Sequence, residues 1–451
     1  MDIQRKAYSQ LLQWKNATVS SKAILIKGAR RVGKSYLAES FAKKEYASYI
    51  LIDFASPLAG TKAIFEKYGN RQNLNEFFNQ LSVLYGTPLI ERKSVFIFDE
   101  IQKYPKAREL IKYLVADGRY DYIETGSLIS IHKNVKDIVI PSEEEEMFLH
   151  PLDFEEYLSA LSDTVTIPFL REAYQANRPL GNMLKPMMDK LRGYMLVGGM
   201  PQAIAEYAAS GNIDRVERVK RGIIKLYRED IAKYAEGYVA EAKAIFDSIP
   251  SQLAHHDKKI KYSSLGEGDR FSSYKDAIRW IDDSMVGSLC AGTGQPDLFG
   301  EFTVRPSKLK CYMSDTGLLL TMAAGTNYLK SDLYKSFMKG SLSVNQGMMT
   351  ENLVAQALSV SDIPLRFYEK TVSHEDGTKK YEVDFLIVAN GKVIPLEVKS
   401  GNRKTHPSLD YYCQTYKKQT GKGIILTKGD LCVTEDYRYI PLPMAWLLLD
   451  C

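Results

Sequence analysis

Gly28-Ala29-Arg30-Arg31-Val32-Gly33-Lys34-Ser35 is the stretch on which the reading of this chain turns. Two glycines enclose four residues, and a lysine and a hydroxyl follow. Before it stands Ala23-Ile24-Leu25-Ile26, an apolar run of the size of a buried parallel strand. After it, Tyr36 to Lys44 is rich in helix formers. Strand, glycine loop and helix form the setting that gives the P-loop pattern its mechanical meaning. The glycines let successive backbone N–H groups wrap a phosphate, and the helix points its positive end at the same place. The pattern predicts an ATP site made by Gly28, Ala29, Arg30, Arg31, Val32, Gly33, Lys34, Ser35 and Tyr36. Lys34 would reach the β- and γ-phosphates, and Ser35 would ligate Mg²⁺.

Further along, short apolar runs recur. Tyr49-Ile50-Leu51-Ile52-Asp53-Phe54 reads as a second buried strand, with helical segments following near 58–68 and 72–85. Ser94-Val95-Phe96-Ile97-Phe98-Asp99-Glu100 is a strand whose carboxyl end carries two acids, the place where ligands sit in open parallel sheets. Asp99 fits the carboxylate that holds the Mg²⁺, and Glu100 fits the base that activates the attacking water. After a helix at 106–118, Tyr120 to Ser127 is another strand ending in hydroxyls. A hydroxyl there can sense the γ-phosphate, with Ser127 placed ahead of Thr125. Residues 130–146 read as a loop whose acidic tip, Glu143 to Glu146, is solvated. Met147 to Leu152 then gives a fifth strand, and Asp153 caps the next helix. With residues 2–16 as a short leading helix, the alternation predicts a doubly wound parallel α/β sheet over residues 1–160.

At 451 residues the chain exceeds a single core and implies about two to four domains. Hydrophobic residues make up 45% and charged residues 25%, the balance of a globular protein. A net charge of +5 is too small to imply nucleic acid by itself. Cys290, Cys311, Cys413, Cys432 and Cys451 lie far apart without a CxxC pair. That argues for reduced thiols in a cytoplasm and against a disulfide frame or structural zinc. Met1 to Trp14 lacks a secretory apolar core, and no window approaches a membrane span. A cytoplasmic protein without a membrane partner is expected, with Leu447-Leu448-Leu449 as a buried terminal strand.

Several segments together resemble a family: GARRVGKS (28–35), VFIFDEIQ (95–102), ETGS (124–127), His150-Pro151-Leu152-Asp153-Phe154-Glu155-Glu156-Tyr157 and Gly198-Gly199-Met200-Pro201. They look like bacterial and archaeal AAA+-type, STAND-like P-loop ATPases that append a winged-helix module and a restriction-endonuclease-like domain. The resemblance spans essentially the whole chain, and PLxFEEY and GGMP are its most particular parts. It implies an ATPase core at 1–160, a helical lid at 161–236, a winged-helix module at 237–330 and a PD-(D/E)XK nuclease-like α/β domain at 331–451. It further implies DNA-associated work, in mobile elements or defence, and a homo-oligomer on nucleotide binding.

In the middle, Met183 to Val197, a segment after Pro201, and Asp214 to Tyr234 read as helices. Salt bridges account for Arg221 and Arg228, and no arginine finger is assigned. Helices at Ala242 to His255 and from Ser272, with a strand at Lys308 to Met313, fit the winged helix that the resemblance implies. Residues 237–329 nevertheless carry 10 Lys and Arg against 11 Asp and Glu. Protein contact or spacing fits that charge as well as DNA reading does. His255 and His256 read as surface residues.

Near the end, Asn390-Gly391 between two β-type runs is a two-residue hairpin signal. Pairing Ala389 with Lys392 sets Asp384 opposite Glu397 and Glu382 opposite Lys399, with each pair on one face. Two carboxylates so placed repel unless a cation lies between them. Lys399, two residues from Glu397, falls on the same face. This is the arrangement of a PD-(D/E)XK centre: Asp384 and Glu397 bind Mg²⁺ or Mn²⁺, and Lys399 orients or activates water. On the helix from Gln346 to Leu358, Glu351 shares an apolar stripe with Met348, Val354 and Leu358 and should point inward as a further acid of the site. Gln414 is a candidate support, and Lys379, Lys380, Arg403 and Lys404 are candidate phosphate contacts. ENLVAQAL, EVDF and LEVKSG match the same family. The leading expectation is an ATPase coupled to a metal-dependent deoxyribonuclease. The alternative is a nucleotide-dependent signalling scaffold whose C-terminal domain binds DNA or protein without cutting.

Overall fold

The computed structural model describes residues 3–18, 21–126, 142–266, 270–296, 302–325, 337, 346–374, 377–401 and 405–448. The chain forms two compact units. One comprises Asp2–His150 with Asp283–Met285, and the other Pro151–Asp282 with Val286–Cys451.

In the first unit, α1 (Ala7–Thr18) leads into β1 (Ala23–Lys27), α2 (Lys34–Glu45), β2 (Ser48–Asp53), α3 (Thr61–Tyr68) and α4 (Leu74–Tyr85). Then come β3 (Ser94–Asp99), α5 (Pro105–Asp117), β4 (Asp121–Gly126) and β5 (Glu144–Phe148). The five strands form one parallel sheet in the order β2-β3-β4-β1-β5. Every residue of β1 is buried, as an unbroken apolar run between two neighbours requires. Because all strands run the same way, the carboxyl ends of β1, β3 and β4 lie at one edge of the sheet. An aromatic core holds one face, with Phe54, Phe65, Phe77, Phe96, Phe98 and Tyr104 all buried. Phe65 meets Phe77 edge-on, their centroids 4.9 Å apart. Each such side chain contributes roughly 1.5–3 kcal/mol by leaving water.

The acidic run is strand rather than loop, and only part of it is solvated: Glu145 and Glu146 are exposed, while Glu144 is drawn in. Glu144, Glu145 and Glu146 form β5 beside β1, and the strand ends at Phe148. Arg108 of α5 holds Glu144 in, donating from Nε at 2.9 Å and from Nη2 at 2.6 Å, with both side chains buried. Lys27 pairs with Glu146. Local charge misled here because the neutralising cations come from elements distant in sequence.

In the second unit a capping box starts α6 (Phe154–Ala160) at the expected Asp153. The Glu156 N–H donates to Asp153 at 2.8 Å, and the Asp153 N–H donates to Glu156 at 3.1 Å. Helices α7 (Thr166–Gln175), α8 (Leu184–Val197), α9 (Pro201–Ser210), α10 (Ile213–Tyr234), α11 (Val239–Ala254) and α12 (Phe271–Asp283) follow. The strands β6 (Gly287–Pro296) and β7 (Phe302–Met313) pair antiparallel, and α13 (Thr316–Ala324) succeeds them. The GGMP segment is a tight crossing. Gly198 has φ +85°, and Asp315 Oδ1 stands 2.5 Å from where a Cβ would be. Asp315 also caps α13, accepting from the Leu318 N–H at 2.7 Å. Arg221 pairs with Glu217 at 3.1 Å and Arg228 with Asp247 at 2.8 Å.

The remainder is α14 (Gln346–Val360), β8 (Arg366–His374), β9 (Gly377–Val383), β10 (Phe385–Ala389), β11 (Lys392–Val398), α15 (Pro407–Thr415), β12 (Gly423–Thr427), β13 (Cys432–Val433) and β14 (Tyr437–Pro441). They build two sheets, β10-β11-β12-β14-β13 and β7-β6-β8-β9. The turn between β10 and β11 has φ +53° at Asn390 and +70° at Gly391, as a type I′ turn needs, and Ala389 pairs with Lys392. Glu382, however, does not face Lys399. Strand β9 ends at Val383, the chain bends at Asp384 and changes sheet, and Glu382 instead opposes Glu369 of β8. Period-two alternation carries no mark of such a transfer. The closing leucines also differ from expectation. Leu442–Leu447 is a 3₁₀ turn with Leu447 and Leu448 buried, because Pro443 lacks the N–H that a strand would donate. Leu449 lies outside the described residues. Parallel pairing of β6 with β8 carries one sheet across residue 330. Among the described residues no helix is long and apolar enough to cross a membrane.

Candidate functional site

The turn after β1 carries the glycine loop. Gly33 has φ +96°, and a Cβ on Gly28 would stand 2.4 Å from the Leu149 carbonyl oxygen, so neither position accepts a side chain without distortion. Helix α2 begins at Lys34, which turns its first N–H groups toward the loop. Lys34 is only 6% exposed and donates to the carbonyls of Gly28 at 2.9 Å and Ala29 at 3.1 Å. Ala29 and Val32 are buried under the loop, and Arg30 and Arg31 are exposed. Arg5 fastens the loop from outside, donating to Val32 O at 3.0 Å and His150 O at 2.6 Å. Beside it opens a cavity of about 370 Å³ lined by Arg5, Tyr8, Leu12, Tyr36, Leu37 and Lys44.

Ser35 Oγ donates to Asp99 Oδ1 at 2.7 Å. Two hard oxygens in contact at the mouth of the loop are a donor pair that suits Mg²⁺. Thr125 donates to the same Asp99 oxygen, and its hydroxyl lies 3.4 Å from the Glu100 N–H. The hydroxyl that the structure places at this acid is therefore Thr125, ranked second in the sequence. Ser127 lies outside the described residues. Glu100 takes φ +52°, a left-handed conformation that costs a non-glycine residue roughly 1–3 kcal/mol and needs support around it. Gln102 donates to its Oε2. That contact was missed in the sequence, although Gln102 closes the VFIFDEIQ segment and sits in the 3₁₀ turn that follows Glu100.

Glu124, adjacent to Thr125 but on the other face of β4, is fully buried beside the Glu144 carboxyl. Burial, and then the charge of Glu144, push it well above the usual carboxylate range against the pull of Arg108. The folded value of Glu124 lies above its ordinary 4.5, so stability is full below that pH and falls as pH rises through and beyond it. Glu124→Gln is expected to raise the melting temperature at pH 8 more than at pH 5, by about 2–4 °C for each kcal/mol regained. Calorimetry at both pH values checks this, and equal shifts would exclude ionisation as the cause.

A second cluster stands where the chain bends at Asp384. Asp384 Oδ2 accepts from the Val398 N–H at 2.8 Å. Glu397 is 8% exposed; its Oε1 accepts from the Lys399 ammonium, while its buried Oε2 has no hydrogen-bond partner. Asp384, Glu397 and Lys399 line one cavity of about 560 Å³ together with Lys258, with exposed His255 and His256 on its wall. Glu351 is 1% exposed, as its stripe predicts, but it is already paired. Lys258 and Lys310 donate to it, Lys310 at 3.2 Å, and so does the Tyr312 hydroxyl. Although burial works to raise Glu351, the Lys310 and Lys258 charges hold it below the ordinary carboxylate range. Burial, and then the Glu351 charge, push Asp384 up.

Among the described residues no three His, Cys, Asp or Glu side chains are placed to share a metal. The pair Asp384 and Glu397, with one inner oxygen unsatisfied, fits a hard divalent cation; Glu351, held by two lysines, does not add to that pair. The lysines were missed in the sequence because they come from the segment after α11 and from β7, with no motif to announce them. Gln414 is exposed and does not line the cavity. Lys380 pairs with Asp257, Glu369 and Glu382 at 2.7, 3.0 and 3.2 Å, and exposed Lys379 lies over the Tyr381 ring. Arg403 and Lys404 fall outside the described residues.

Residues 20–158 match the family model of an AAA domain. Residues 188–329 and 346–446 match two domains of unknown function, DUF8612 and DUF4143. No curated protein matches the chain. A Walker-type ATPase of Pyrococcus abyssi is similar at 16% identity, over 71% of this chain and 96% of that one, with a TM-score of 0.43. A STAND protein with a tetratricopeptide repeat sensor, from Pyrococcus horikoshii, is similar at 12% identity with a TM-score of 0.28. That match covers 80% of this chain and 50% of the other. Neither superposition is close enough to assign an activity. The family match, on a parallel sheet that carries the glycine loop, marks residues 20–158 as a P-loop ATPase domain of the AAA type.

Proposed function

We propose that this chain is an ATP-hydrolysing switch or motor whose C-terminal cleft cuts DNA phosphodiesters. At the nucleotide site Lys34 leaves the loop carbonyls for the β- and γ-phosphate oxygens. The base enters the cavity at Tyr36 and Arg5. Glu100, held by Gln102, takes the proton of the attacking water, and Thr125 or Ser127 reports the γ-phosphate. Ser35 and Asp99 would hold the Mg²⁺, which would supply positive charge to the phosphates. In the cleft Asp384 and Glu397 hold Mg²⁺ or Mn²⁺, a Lewis acid for the scissile phosphate, and Lys399 orients water. Nucleotide-dependent homo-oligomers, with DNA-associated work in mobile elements or defence, complete the reading.

What supports cutting is one atom, the unsatisfied inner oxygen of Glu397 beside Asp384 and Lys399. With Mg²⁺ or Mn²⁺, the wild type is expected to cleave DNA at least about 100-fold faster than Asp384→Ala. Equal cleavage by the two, or none by either across single-stranded, linear and supercoiled DNA, removes the nuclease. A second reading then stands: a nucleotide-dependent scaffold that holds DNA or protein without cutting. It is favoured by the two lysines that already neutralise Glu351.

A further inference from the structure

The acids at the C-terminal cleft are matched by lysines one for one. Glu351, Glu382, Asp384 and Glu397 stand with Lys258, Lys310, Lys380 and Lys399, joined by ion pairs or lining the same cavity. The further acids on Lys380, Asp257 and Glu369, are balanced in turn by Lys259 and Lys308. The formal charge of this group is zero before any cation is added. A divalent ion beside Asp384 and Glu397 therefore meets ammonium groups already in place, and like charges in a partly buried site repel strongly.

The two lysines on Glu351 are held differently. Lys310 is completely buried on β7, paired with Glu351 at 3.2 Å and Glu382 at 2.8 Å, and its ammonium lies 4.9 Å from the Phe367 ring centre. It is a fixed counter-charge. Lys258 sits between α11 and the 3₁₀ turn Tyr262–Ser264, and its side chain is 21% exposed at the cavity wall. Its backbone takes φ +50°, the left-handed region that a lysine adopts at a cost. It lies 93 residues from the acid that it neutralises. A lysine that is partly open to the cavity, strained and distant in sequence from its acid is the one of the two that can leave.

We infer that Lys258 is a built-in competitor of the divalent cation: it occupies the counter-charge position at Glu351 facing Asp384, and the ion binds tightly only when Lys258 swings out. The inference rests on the metal-site reading above and adds its regulation. Residues 255–262 are then a latch, and whatever moves them sets the metal occupancy of the cleft.

Mn²⁺ titration of the full chain without nucleotide, followed by the electron paramagnetic resonance signal of free Mn²⁺, tests this. The ion belonging to the cleft is the one lost on Glu397→Gln. For that ion, Lys258→Met is expected to bind at least tenfold more tightly than wild type, and Lys258→Arg, which keeps the charge, no more tightly than wild type. Should Lys258→Met fail to fold, Lys258→Gln keeps a donor toward Glu351 and must show the same tightening. Equal affinity in wild type and the neutral variants overturns the competitor and leaves the metal site standing. A cleft with no Glu397-dependent Mn²⁺ in any of these proteins overturns both.

Discussion

Glu351→Ala is expected to unfold the second unit, not merely to silence it. The carboxylate is buried, and three donors converge on it: Lys258, Lys310 and the Tyr312 hydroxyl. Lys310 has no exposure of its own. Without Glu351 it keeps Glu382 as its remaining ion pair, and Tyr312 loses its acceptor. Removing one partner of a buried ion pair costs up to about 3–5 kcal/mol when the charge left behind is uncompensated. Glu382, 2.8 Å from Lys310, keeps the cost toward the lower end. Against a total stability of roughly 5–15 kcal/mol, that is a large share. Denaturant unfolding, with limited proteolysis to tell the units apart, should show the second unit opening at much lower denaturant and the first unchanged. An unaltered midpoint would mean that Lys310 finds water or another anion, and that the cluster is looser than its burial implies. Loss of DNA cleavage in this variant would not identify Glu351 as a catalytic acid.

The other large effect is at the glycine loop. Lys34→Ala is expected to lower ATP turnover by about 100-fold or more, the usual consequence of removing a charged group aimed at a transition state. The loop should survive, since its shape is set by Gly33 and by the approach of Gly28 to Leu149. Glu100→Gln should differ in kind, keeping nucleotide affinity while stopping hydrolysis, because the amide preserves the contact with Gln102 but cannot take a proton. Phosphate release and a fluorescent nucleotide separate the two outcomes. Turnover retained in Lys34→Ala would remove the loop as the hydrolytic site. Turnover retained in Glu100→Gln would move the base elsewhere.

The parts that were legible in the sequence are those fixed by local chemistry. An unbroken apolar run gave β1, the glycines gave its turn, and Asn390-Gly391 gave the register of β10 and β11. Glu351 lies inside as expected, but so does every residue from Met348 to Leu358, so the helix is buried all round rather than along one stripe. What stayed hidden was set by distant partners. Nothing near Glu144 announces Arg108, and nothing near Glu351 announces Lys258 or Lys310. The sequence put Ser127 ahead of Thr125, and only the position of Asp99 brings Thr125 forward. The bend at Asp384 was equally invisible, since a strand that leaves one sheet for another keeps its alternation.

The parallel pairing of β6 with β8 limits how this protein can be cut or recombined. Ala291, Gly292 and Thr293 lie against Arg366, Phe367 and Tyr368, and the last two are buried. A fragment starting after residue 330 would present that stretch of β8 as a bare, apolar edge, the kind that recruits other chains into aggregates. The stretch after residue 330 is therefore not a portable cassette, and a graft onto another protein would have to carry the β6–β7 hairpin with it.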